Sequence, residues 1–195
     1  MGLFSSLFGK KKPFSIHNRV WADEKVKDNM LADHLKSAEK SILLVSFFEE
    51  THSRMEIFSS AHVKSLRASD IVQRRKDAEL KTWLSQPDQE LIFAEHFPFF
   101  SEEELVLQYL ADLSGAQVSA DFYISLDDPI IVAVSGDKVK SLMQRMGVDP
   151  EEMIRHSMID SSIQKAQEKI QEKVAVAVKA NSLKEWFRLN LGNNL

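Results

Sequence analysis

The chain has 195 residues, 44% of them hydrophobic and 28% charged, with a formal net charge of −4 and no cysteine. That composition fits a globular domain of generous size. It excludes disulfides, thiol nucleophiles and Cys-based zinc sites, and it argues against nucleic acid as a partner, because such binders carry a basic excess.

The first residues, Met1–Pro13, place Leu3, Phe4, Leu7 and Phe8 on one helical face, directly followed by Lys10, Lys11 and Lys12. An apolar face beside a basic cluster suits contact with an anionic membrane surface. The other reading is a frayed terminus or a small hydrophobic plug on the domain. The apolar part is too short for a secretory signal, and no run of roughly 18 apolar residues offers a membrane span.

Val26, Met30, Leu31, His34, Leu35 and Ala38 form a stripe that predicts a helix over Ala22–Lys40, with Asp23 as N-cap. Ser41–Phe48 is a short continuous apolar run, the pattern of a strand covered on both faces. A helix follows over Glu49–Ser60, then a second strand over His62–Leu66. Ser69 or Asp70 caps a helix reaching Leu84. Glu90–Ala94 is the third strand, and Pro98 makes His96–Phe100 a loop. Ser101 with Glu102, Glu103 and Glu104 reads as the start of a helix that Ser114-Gly115 closes. Asp121–Leu126 is the fourth strand, and Ile130–Val134 is either a fifth strand or helix. Asp137–Met146 is amphipathic, and Asp149-Pro-Glu-Glu152 looks like a helix start. Ser157–Val178 is a long polar helix with an apolar stripe at Ile159, Ile163, Ala166 and Ile170. Ser182 caps a last helix holding Trp186 and Phe187.

Alternating strands and helices predict an α/β fold with a mostly parallel sheet of four to five strands flanked by helices and followed by a helical extension. The expected organisation is a basic amphipathic segment (1–13), an α/β core (14–135) and a helical extension with a long helix (136–195).

Phe122-Tyr-Ile-Ser-Leu-Asp-Asp128, Gly136-Asp-Lys-Val-Lys140, Leu142-Met-Gln-Arg-Met-Gly147, His156 and Ile163-Gln-Lys-Ala-Gln167 come in one order. In that order they resemble the end of the second motor domain, a RecA-like helicase C-terminal domain, of the SecA preprotein translocase ATPases. Fainter similarity extends the resemblance over roughly residues 19–174. It implies a RecA-like sheet and a place in protein translocation. The departures bear on activity. In that family, ATP sits between two motor domains, held by a phosphate loop from the first and arginines from the second. This chain contains no Gly-x-x-x-x-Gly-Lys-Ser/Thr, and Gln108–Gln117, where the arginine segment would lie, contains no arginine. The resemblance therefore implies a non-catalytic, degenerate motor domain with no cofactor. Its expected role is that of a binding or regulatory partner for a protein of the translocation machinery. Its expected location is the cytoplasm, peripheral on the inner face of the membrane.

Two alternatives stand beside this. Glu95, His96 and Asp127, with Glu49, His52 and Asp128, fall at strand ends where α/β sites form, so metal-assisted chemistry is one; ordinary cap chemistry explains the same residues. The other is a subunit that completes an ATP site with a separate phosphate-loop protein. For partner contact, Phe97, Phe99 and Phe100 form either a lid over the core or a binding patch. Ile159, Ile163 and Ile170 are the stripe by which the long helix meets a partner or docks back on the domain.

Overall fold

The apolar run after Ser41 becomes the centre of the sheet. In the computed structural model, which describes residues 12–73, 78–86, 88–135, 149, 151–154 and 157–192, β2 (Ile42–Ser46) is buried at every position. It pairs in parallel with β3 (Val63–Arg67) on one side and β4 (Glu90–Phe93) on the other. β4 pairs with β5 (Val118–Ser125), and β5 with β1 (Phe14–Trp21). The result is a five-stranded parallel sheet in the order β1-β5-β4-β2-β3.

Strand alternation sends side chains to opposite faces. Leu43, Val45, Leu91, Phe93 and Phe122 meet α3 (Ala68–Gln73), α4 (Ala78–Leu84) and α5 (Phe100–Ser114) on one face. Ile42, Leu44, Ile92 and Tyr123 meet α1 (Glu24–Lys36) and α2 (Glu49–Met55) on the other. A short 3₁₀ turn, Glu56–Phe58, extends α2. A third apolar cluster lies at the carboxyl ends of the strands. It joins Val20, Phe48, Ile124 and Leu126 to α6 (Pro129–Ser135), α7 (Ser157–Lys173) and α8 (Leu183–Leu191).

Local chemistry sets several boundaries as the sequence predicts. Asp23 accepts the Val26 N–H at 2.9 Å and starts α1. Gly115 ends α5 at φ 68°, a left-handed position that favours glycine. Ser182 accepts the Glu185 N–H and starts α8.

Elsewhere the structure corrects the sequence reading. The fifth strand is β1, and of the two alternatives for Ile130–Val134 the structure takes the helix, inside α6, where Asp128 Oδ1 accepts the Ile130 N–H. Of the helix expected up to Leu84, α3 and α4 are described, and residues 74–77 between them lie outside the described residues. α5 begins at Phe100 with Phe99 in the N-cap position, so Ser101 is not the cap. At the expected helix start Asp149 Oδ1 accepts the Glu151 N–H and its carbonyl accepts the Glu152 N–H, with Pro150 outside the described residues, and Ile154 then bridges antiparallel to Val20 of β1. The long helix stops at Lys173. The amphipathic stretch Asp137–Met146 lies outside the described residues. Among the described residues no helix is long and apolar enough to cross a membrane.

Candidate functional site

The sheet order places a topological switch between β2 and β4. The chain leaves β2 toward β3 on one side and leaves β4 toward β5 on the other, so a crevice is expected beyond the carboxyl ends of these two strands. Phe47 and Phe48 follow β2 there, and Glu95 and His96 follow β4.

Glu95 occupies the crevice itself. Its Oε1 accepts the Phe47 and Phe48 N–H groups, both at 3.0 Å, and its Oε2 accepts the Thr51 hydroxyl at 2.6 Å. The carboxylate thus caps the start of α2, where orphan backbone donors are expected. Burial pushes its pKa up to about 7, against the pull of those three hydrogen bonds and of the Lys27 ammonium.

His96 turns the other way into a second network. Its Nδ1 lies 2.8 Å from Glu103 Oε1, and its Nε2 lies 2.8 Å from Asn18 Oδ1. Asn18 Nδ2 donates to Asp160 Oδ1 on α7, which fixes the amide with its oxygen toward the imidazole. Nδ1 thus faces a carboxylate and Nε2 an amide oxygen, two acceptors that favour the doubly protonated ring. Burial lowers its pKa, but the charges of Glu103, Asp128 and Asp160 outweigh that, and the net shift is upward. Glu103 is fully buried and also accepts the Phe97 N–H at 2.7 Å. The ring stacks on Phe122, with centroids 4.3 Å apart. One buried ion pair thereby ties β1, the loop after β4, α5 and α7 together.

The remaining carboxylates at this edge also serve helix starts. Asp127 Oδ2 accepts the Glu24 N–H at 3.4 Å, and Asp128 Oδ1 accepts the Ile130 N–H at 2.9 Å. Burial raises the Asp128 pKa, with the Ile130 N–H and the nearby His96 and Lys27 charges working against it.

α8 closes the edge. Trp186 and Phe187 are buried, and Trp186 meets Phe97 and Phe99 edge-on at 6.3 and 5.3 Å. The Asn181 carbonyl accepts the Glu50 N–H at 3.0 Å, and Lys184 pairs with Glu24 at 2.8 Å. Beneath it remains a cavity of about 60 Å³ between Lys27, Thr51, Glu95, Asp128 and Ser182, a volume that fits a few water molecules.

The residues singled out in the sequence do not converge on a single reactive point. Glu95 and His96 belong to separate networks. Glu49 pairs with Arg67, and His52 Nδ1 lies 3.4 Å from the Ser65 hydroxyl. Among the described residues no group of three or more His, Asp or Glu side chains could hold a metal ion. Phe97 and Phe99 are partly buried against α8 and its neighbours, which makes them a lid over the core. Phe100 packs against the α5 face of the sheet, under the Lys12 ammonium at 4.6 Å. Ile159, Ile163 and Ile170 are buried in the cluster at the strand ends. The stripe docks on the domain and is not an open partner surface. Leu3, Phe4, Leu7, Phe8, Lys10 and Lys11 lie outside the described residues, while Lys12 pairs with Glu104 at 2.7 Å.

Asn18, Asp160 and Thr51 carry no sequence pattern that marks them. Glu103 reads as one of three first-turn acids, yet it alone of the three is buried.

No family model matches the chain. Curated proteins similar to it are protein translocase subunits SecA. That of Christiangramia forsetii is 40% identical over 62 residues, 32% of this chain and 6% of the relative. That of Sorangium cellulosum is 38% identical over 63 residues, 32% and 6%, and SecA 1 of Alkaliphilus metalliredigens is 39% identical over 61 residues, 31% and 7%. The chain carries a SecA-related segment. That segment makes up about a third of this chain and spans only 6–7% of the length of these relatives.

Proposed function

We propose that the chain is a degenerate, non-catalytic counterpart of the second SecA motor domain. In this reading residues 14–135 form the α/β core, and residues 136–195 are a helical extension that folds back over its carboxyl edge. It serves as a binding or regulatory partner in protein translocation, in the cytoplasm and peripherally at the inner face of the membrane.

One observation carries the reading. The crevice at the β2/β4 switch is filled by the chain's own Glu95 carboxylate and lies under α8. In nucleotide-binding α/β proteins, backbone amides at a helix start and at this edge are offered to phosphate. Here Phe47, Phe48, Glu24 and Ile130 already donate theirs to Glu95, Asp127 and Asp128. The missing phosphate loop and the arginine-free Gln108–Gln117 segment support the same conclusion.

Calorimetric titration with Mg-ATP, together with a steady-state turnover assay on the purified chain, tests the non-catalytic part. The expected outcome is no saturable heat and no phosphate release above a boiled control. Saturable binding or sustained turnover refutes it. Co-sedimentation with the purified translocase ATPase tests the partner, the expected result being a stoichiometric complex that forms without nucleotide.

A further inference from the structure

The segment between α7 and α8, Val174-Ala-Val-Ala-Val178, alternates β-branched and small residues, a pattern that favours a strand. Yet it forms no strand. Val174 is buried, but Val176 is 87% exposed and Val178 54% exposed. The strand preference of this segment is unmet in the closed arrangement.

The contacts on either side of Val176 divide cleanly. Upstream, Val174 belongs to the end of α7 and packs into the cluster at the strand ends. Downstream, the Val178 N–H and carbonyl bond the Asn190 side chain at 2.6 and 3.0 Å, so Val178 travels with α8. Only Ala175–Ala177 lies between the two units. The downstream unit then grips the body of the domain through Trp186, Phe187, the Asn181–Glu50 hydrogen bond and the Lys184–Glu24 ion pair. Each of these contacts can form equally well with a second copy of the same chain. Exchange therefore costs none of them, and it frees the hinge to extend.

We propose that α8 is a swappable element. In a dimer, the α8 of each copy covers the carboxyl edge of the other. The two extended hinges, Ala175–Ala177, pair antiparallel across the two-fold axis with Val176 opposite its symmetry mate. The partner that fits this edge is a second copy of the chain, and it contributes Trp186, Phe187 and Lys184 to the covered edge of its neighbour. Because the closed contacts are the same in both forms, hinge pairing alone offsets the entropy of association. The dimer grows with protein concentration and reverts on dilution.

The absence of cysteine allows a direct test on the full chain. Glu24→Cys and Lys184→Cys variants are mixed at high concentration, incubated, and treated with a short bis-maleimide. Exchange yields a covalent product joining one chain of each kind, and light scattering of the untreated protein gives a dimer. Val176→Asp sets like charges opposite each other in the paired hinge and lowers the dimer association constant on the order of tenfold, with monomer stability unchanged. A chain that stays monomeric at every concentration overturns the proposal. So does a dimer whose mixed variants give no cross-link while the double variant cross-links within one chain, because that dimer keeps α8 at home.

Discussion

Replacing Glu95 by Gln isolates the cost of burying a carboxylate at the switch crevice. The amide oxygen of Gln can accept the same two N–H groups from Phe47 and Phe48, and its NH₂ can donate to the Thr51 oxygen, so the cap survives. What disappears is the proton equilibrium. In the folded chain Glu95 titrates near 7, against an ordinary 4.5. A raised carboxyl pKa means that the native state binds the proton more tightly than the unfolded state. Stability from this group is therefore present below pH 4.5 and is lost as pH rises through 7. At about 1.4 kcal/mol per pKa step, the loss is about 3 kcal/mol. The assay is urea unfolding of the wild type and Glu95→Gln at a series of pH values from 4.5 to 8.5, read as the difference between the two proteins. Titrations common to both, His96 included, cancel in that difference. The wild type should fall relative to Glu95→Gln by about 3 kcal/mol across the window, with most of the fall between pH 5 and 7. A difference that stays flat within about 0.5 kcal/mol, or one that moves the other way, refutes the claim that burial outweighs the three hydrogen bonds.

Three further substitutions probe the rest of the edge. Glu103→Gln leaves the His96 imidazolium buried beside a neutral partner and should cost about 3–5 kcal/mol at pH 6. In the wild type the His96 contribution is complete below about 6.5 and fades as pH climbs past its raised pKa, so the gap between the two proteins should narrow in alkaline buffer. Trp186→Ala empties the aromatic cluster under α8 and should cost about 3–5 kcal/mol by denaturant unfolding, with loss of near-ultraviolet circular dichroism. Asp23→Ala removes the cap of α1 and should cost about 1 kcal/mol, a value that thermal unfolding resolves.

Features fixed by neighbours in the chain were legible in the sequence. The β2 run, the Asp23 and Ser182 caps and the Gly115 stop depend on a residue and the next few positions, and each stands where the sequence put it. β1 was not legible. As an edge strand it is only partly covered, and His17, Asn18 and Arg19 interrupt the apolar alternation that marks a strand. Ile130–Val134 has equal claim to strand and helix by composition. The choice rests on Asp128, whose side chain accepts the Ile130 N–H and whose carbonyl accepts the next two. The candidate site was legible as a list of residues and not as an arrangement. Glu95 and His96 stand side by side in sequence, yet their partners lie 44–48 residues away for one and 7 and 78 away for the other. Nothing local distinguishes the buried Glu103 from the exposed Glu102 beside it.

The two networks also explain why the edge behaves as one unit. The His96 pair reaches α7 through Asn18 and Asp160, and Gln167 on α7 donates to the Phe97 carbonyl at 2.8 Å. Phe97 in turn meets Phe48 on the Glu95 side and Trp186 on α8. Loosening α7 therefore shifts Phe97, and Phe97 is shared by the α2 cap and by the seat of α8. A ligand competing for the crevice amides has to displace Glu95 and disturb that shared ring, which couples opening of the crevice to undocking of the carboxyl-terminal helices. The proposed contact role therefore predicts that a ligand reaching these amides also loosens α8.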